Sequence, residues 1–126
     1  MSERYESLFR FWMDKLRREL PEHLSYHNAD HTRNVVNACS FLAEKEGLSK
    51  LDKELLLVAA LFHDAGFLVR YESNEHVGVR LAGEHLPEMG YTSGEIDTIK
   101  GIILSTNPDT KPANLIESII HDADLN

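Results

Sequence analysis

Apolar residues recur along this chain with helical spacing, and no stretch alternates with the period of two that marks a half-buried strand. A first helix is predicted from Arg4 to Leu20, where Leu8, Phe9, Trp12 and Leu16 share one stripe and Pro21 stops the helix. The polar segment Glu22 to Asp30 leads to a second helix over Asp30 to Glu46. Val35, Ala38, Cys39, Leu42 and Ala43 face inward there, and Gly47 is placed for the C-terminal cap. The third helix begins near Asp52, carries the run Leu55-Leu56-Leu57-Val58-Ala59-Ala60-Leu61-Phe62, and ends at His63-Asp64-Ala65-Gly66. It is apolar on every side, so it is predicted to be the central and most buried element.

A fourth helix is predicted from Asn74 to Leu86, before Pro87. The fifth covers Ser93 to Ser105, with Ile96, Ile99, Ile102 and Ile103 buried and only a loose cap from Ser93 and Asp97. The sixth covers Ala113 to Asp124. The expectation is an all-α bundle of about six helices, a single domain over 1–126 with a helix at 4–20 ahead of a motif-bearing core at 26–126.

A length of 126 residues suits one domain with one core. With 21 Asp and Glu against 13 Lys and Arg, the net charge is -8. That balance argues against a broad basic face for a nucleic-acid duplex and against docking on anionic membranes. The longest apolar run, Leu55 to Phe62, is too short to span a bilayer. Cys39 is the single cysteine, so it makes no internal disulfide and no CxxC metal site; it reads as a small buried hydrophobe. Met1 to Glu6 is polar and does not read as a secretory signal, which makes a cytoplasmic location the default expectation. What departs from an ordinary composition is seven histidines, several beside aspartate.

His31 lies at the start of the second helix, four residues before Val35 and so on the buried face. His63 and Asp64 are adjacent at the end of the apolar third helix, and Asp122 and Asp124 close the sixth. Each has an ordinary reading alone: a helix-start histidine as a cap, His-Asp before Gly as a helix end, Asp124 as a solvated carboxylate. On a helical wheel Asp122 and Asp124 both flank the apolar stripe at about 100°, so periodicity leaves the choice between them open. Two imidazoles and two carboxylates inside an apolar bundle are costly without a counter-charge, and a divalent cation supplies one. Two nitrogens and two oxygens suit Mn, Fe, Zn, Co or Ni better than Mg or Ca. Four such ligands leave an octahedral ion two positions for water or substrate oxygens, the openness that hydrolysis needs. His27, one helical turn before His31 in Tyr26-His27-Asn28-Ala29-Asp30-His31, is placed to act as a general acid.

His31, His63-Asp64 and a final Asp in an Ala-Asp-Leu context, on separate helices in this order, resemble the HD superfamily of metal-dependent phosphohydrolases. The resemblance covers Tyr26 to Asn126. The segment Tyr26-His27-Asn28-x-x-His31 looks like the matching stretch of cyclic nucleotide phosphodiesterases in that superfamily. It implies His27 as proton donor and His31 as metal ligand. Ile120-His121-Asp122-Ala123-Asp124-Leu125 is similar to the family's last motif, in which the Asp directly after Ala binds metal, so the resemblance implies Asp124, with Asp122 second. The implied activity is hydrolysis of a phosphate ester on a nucleotide or similar small molecule, with Asp64 orienting water or accepting its proton.

The chain also departs from the family pattern. Phe67 follows Gly66 where many members carry Lys, so a phosphate-contacting cation must come from elsewhere, with Arg33, Arg70, Arg80 and Lys111 as candidates. Two-metal relatives carry a histidine four residues before a Gly or Ser of the fourth helix; here Asn74 stands four before Gly78 and His76 is out of register by two. One ion is therefore expected, with His76 as a secondary substrate or metal contact. Relatives continue past the last Asp with further helices, which leaves open a shortened domain. These departures motivate a rival reading, a metal-binding regulatory or nucleotide-sensing module. His23 reads as solvated, His85 as lying on a helix surface, His121 as hydrogen-bonded within the last helix, and Trp12 and Phe9 as core. Oligomeric state and substrate identity have no readable signal.

Overall fold

A computed structural model describes residues 1–19, 29–65 and 75–125. Six α-helices account for most of them: α1 (Glu3–Glu19), α2 (Ala29–Lys45), α3 (Lys50–Phe62), α4 (Glu75–His85), α5 (Ser93–Leu104) and α6 (Leu115–Leu125), with a 3-10 turn at Pro87–Met89. No strand occurs among the described residues, as the helical periodicity requires. No helix among them is long and apolar enough to cross a membrane.

The predicted spans shift by a residue or two at their ends, and capping explains the shifts. Ser49 Oγ accepts from the Asp52 amide at 3.1 Å, so α3 starts at Lys50, ahead of Asp52. At α5 the cap is Thr92, whose Oγ1 accepts from Glu95 N while Glu95 Oε1 accepts from Thr92 N. This reciprocal capping box replaces the Ser93–Asp97 pattern. Asn114 Oδ1 accepts from Glu117 N at 2.9 Å, which starts α6 at Leu115, after Ala113.

Helix α3 is the axis of the bundle and touches each of the other five helices. Every residue from Glu54 to Ala65 is buried, so an element apolar on all sides has found packing on all sides. Trp12, Leu8, Leu16, Leu56, Phe62, Ile99, Ile103 and Ile120 are the large side chains locked inside. Burial of each contributes roughly 1.5–3 kcal/mol. Cys39 is fully buried, and burial pushes its thiol up to about 12, leaving it an inert core residue.

The exception inside α3 is Glu54, a buried carboxylate in an apolar helix. It accepts from Arg4 Nε at 2.8 Å and from Ser2 Oγ at 2.6 Å. Arg4 also grips Glu95 through two nitrogens, donates to the Gly90 carbonyl, and lies 4.1 Å over the Tyr91 ring. One guanidinium thus ties the start of α1 to α3 and α5 with bidentate geometry.

Candidate metal centre

The third helix delivers its motif as it ends. His63 is the C-cap of α3, 2% exposed, and Asp64 follows at 7%. His63 Nδ1 lies 2.5 Å from the Ala60 carbonyl, and a carbonyl only accepts, so Nδ1 carries a proton and Nε2 is the ring nitrogen turned to the carboxylates of Asp64 and Asp124. Helices α2 and α6 both pack on α3 and on each other. The first turn of α2 thereby brings in His31, and the last turn of α6 brings in Asp124 beside buried Ala123.

These four residues converge. His63 Nε2 lies 3.3 Å from Asp64 Oδ2 and 3.2 Å from Asp124 Oδ1; His31 Nε2 lies 3.5 and 3.4 Å from the same two oxygens. One ligand atom from each of His31, His63, Asp64 and Asp124 falls within 4.8 Å of all the others. Donor atoms sharing one ion at about 2.0–2.2 Å stand about 3.0–3.4 Å apart when adjacent, so the spacing fits a single divalent cation. The donor set, two imidazole nitrogens and two carboxylate oxygens, fits it chemically as well.

Electrostatics agree with the geometry. Burial alone would lower the His63 imidazole, but Asp64 first, and then Asp124, outweigh it and push it up to about 10. Burial would raise the Asp124 carboxyl; His31 and His63 outweigh that and hold it well below the usual carboxylate range. The two carboxylates thus demand positive charge between them, which a proton on His63 or a metal ion supplies.

The other residues singled out in the sequence lie elsewhere. Asp122 is exposed on α6, one residue on each side of it being better buried, and it is not among the four convergent ligands. His76 is exposed on α4 and is not among them either. Arg33 is exposed on α2 and pairs with Asp30 at 3.2 Å. Lys111 and Arg80 are exposed as well. His27, with His23, Phe67, Arg70 and Asn74, lies outside the described residues.

The reading of His121 changes. His121 does not bond within α6: its Nε2 donates to the Ser105 carbonyl at the end of α5, so it ties two helices together. His85 is half-buried on α4, and its ring meets Trp12 edge-on at 5.6 Å and Phe11 at 5.6 Å. A cavity of about 230 Å³, lined by Thr106, Pro108, Ile120, His121 and Asp124, shares Asp124 with the cluster. Sequence patterning missed this cavity because the α5–α6 connection carries no periodic signal.

Comparison with known proteins agrees with the constellation. The family model described as "HD domain" matches residues 28–125. The guanosine-5'-triphosphate,3'-diphosphate pyrophosphatase of Pseudoalteromonas atlantica is 26% identical over 106 residues, covering 79% of this chain and 21% of the relative. The chain therefore spans about a fifth of the length of that curated relative. No solved structure matches the chain.

Proposed function

The chain belongs to the HD-domain family, and from that membership and the four convergent ligands we propose that it is a metal-dependent phosphohydrolase acting on a nucleotide or related small phosphate ester. The carrying observation is that His31, the adjacent pair His63 and Asp64, and Asp124, from three separate stretches of sequence, place one ligand atom each within 4.8 Å of one another. A divalent transition metal such as Mn, Fe, Zn, Co or Ni, bound as a single ion, would supply Lewis acidity toward a phosphoryl oxygen and acidify water.

The chain's own residues do the rest. His31 and His63 offer Nε2 lone pairs, and the Ala60 carbonyl holds the His63 ring in the right tautomer. Asp64, buried beside both imidazoles, orients the attacking water or accepts its proton. His27, four residues before His31 in the sequence, is the donor of the proton that the leaving oxygen takes. The cavity beside Asp124 gives the organic part of a small ester room next to the reacting phosphate. With a net charge of -8, the chain repels a phosphate at long range, so capture depends on the local positive charge of the loaded centre.

The test is phosphate release by Mn-loaded protein from an aryl phosphate and a nucleotide panel. The name of the Pseudoalteromonas relative puts a guanosine nucleotide bearing a 3'-diphosphate in that panel. Turnover above that of His63→Ala is expected; none on any compound overturns the hydrolase reading. A second reading, a nucleotide-sensing module without turnover, draws on Phe67 standing where many relatives carry Lys. Tight nucleotide binding with no product over hours would favour it.

A further inference from the structure

Three successive carbonyls in the last turn of α3 are each met by a group that is not part of that helix's own ladder. Ala60 O faces His63 Nδ1 at 2.5 Å, and Leu61 O accepts from Trp12 Nε1 at 2.7 Å. Phe62 O sits so close to Gly78 of α4 that a Cβ there would be 2.6 Å away. These three contacts surround the turn from which His63 and Asp64 project. The middle one comes from α1, which lies wholly outside residues 28–125, the stretch matched by the family model.

Trp12 is fully buried, its indole tilted against the Phe62 ring at 4.2 Å and met edge-on by His85. Core packing alone would be served by any large apolar side chain. An indole N–H in a dry site needs an acceptor, and its acceptor here is two residues before His63. We propose that Trp12 is a positioning residue for the metal centre: through the Leu61 carbonyl its N–H fixes the turn that aims His63 and Asp64. The inference rests on the metal-centre reading above and adds to it a residue that touches no ligand atom.

Two measurements on the full chain test it. Outer-shell partners of metal ligands typically change affinity by 10–100-fold, so Trp12→Phe, which keeps an aromatic ring and loses the N–H, should weaken Zn binding by about 10-fold or more in calorimetric titration. Leu8→Ala, a core deletion on the same helix, should lower the melting temperature and leave Zn affinity within about 2-fold, because α1 would still be anchored by the indole. In the unaltered protein, Trp12 is the only tryptophan, so its indole N–H gives a single cross-peak in a proton–nitrogen correlation spectrum. That peak should move on Zn addition and stop moving at one equivalent. An unmoved peak, a Trp12→Phe protein with unchanged Zn affinity, or an equal loss in Leu8→Ala would overturn the role given to Trp12. Absence of Zn uptake by the unaltered chain would overturn the metal centre together with it.

Discussion

His63 Nε2 and Asp124 Oδ1 stand 3.2 Å apart although 61 residues separate them. That approach requires α6 to lie against the end of α3, and it distinguishes two aspartates that the sequence pattern leaves equivalent. Asp124→Asn should reduce Mn or Zn affinity by at least about 10-fold, since it removes the charge and basicity of one of the four proposed ligands in a partly buried cluster. Asp122→Asn, on the exposed side of the same helix, should leave affinity within about 2-fold. Titration calorimetry on both variants reads the difference, and equal losses would contradict the assignment.

Helix α4 can lie against the end of α3 only because residue 78 is glycine. A Cβ on Gly78 would be 2.6 Å from Phe62 O and 3.2 Å from Ile103 Cγ2. Gly78→Ala should destabilise the fold by about 1–3 kcal/mol in urea unfolding, the usual cost of overpacking. Gly101→Ala makes a sharp contrast. That glycine is an exposed position inside α5, where a Cβ meets no atom within 4 Å among the described residues. It should stabilise by roughly 0.5–1 kcal/mol through helix propensity.

The Arg4 network gives the fold an acid limb. Arg4, helped by the Thr92 backbone, lowers Glu95 from its ordinary 4.5 to about 2. The folded state therefore binds this proton less readily than the unfolded chain does. Its contribution is complete above about pH 4.5 and is lost as pH falls toward 2. Glu95→Gln should be less stable than the parent at neutral pH and should lose less stability between those values. Thermal melts across that range check it, and parallel curves for the two proteins would contradict it.

Metal should also act as a stabilising ligand, because the four ligands converge only in the folded chain. At a free Mn concentration of about 100 times the dissociation constant, linkage adds about 2.7 kcal/mol. A chelator should return the melting temperature to its metal-free value. Melting curves that coincide with and without Mn would contradict this.

How much of this was legible in the sequence depends on the range of the interaction. The run from Leu55 to Phe62 announced a central helix, and α3 does touch every other helix. The HD motif at its end was equally visible, because residue type and helix end coincide there. Asp122 against Asp124 was not decidable from period, since both flank the stripe; the resemblance of the Ala123-Asp124-Leu125 context pointed to Asp124, and the packing of α6 against α2 and α3 brings that residue to His63. Glu54 carries no local signal of its burial, because its partner Arg4 is 50 residues away. The indole of Trp12 read as core, and its size and apolarity justify that. Its hydrogen bond to Leu61 spans 49 residues and leaves no local trace. Local periodicity encodes which face of a helix is buried; it does not encode which buried atom meets which.

The most direct test of the central claim is the metal content of the purified protein, measured by elemental analysis after loading with Mn and removal of free ion. One ion per chain is expected for the unaltered protein, and essentially none for His63→Ala. An unaltered chain that retains no metal, or a His63→Ala chain that retains as much, would contradict the account.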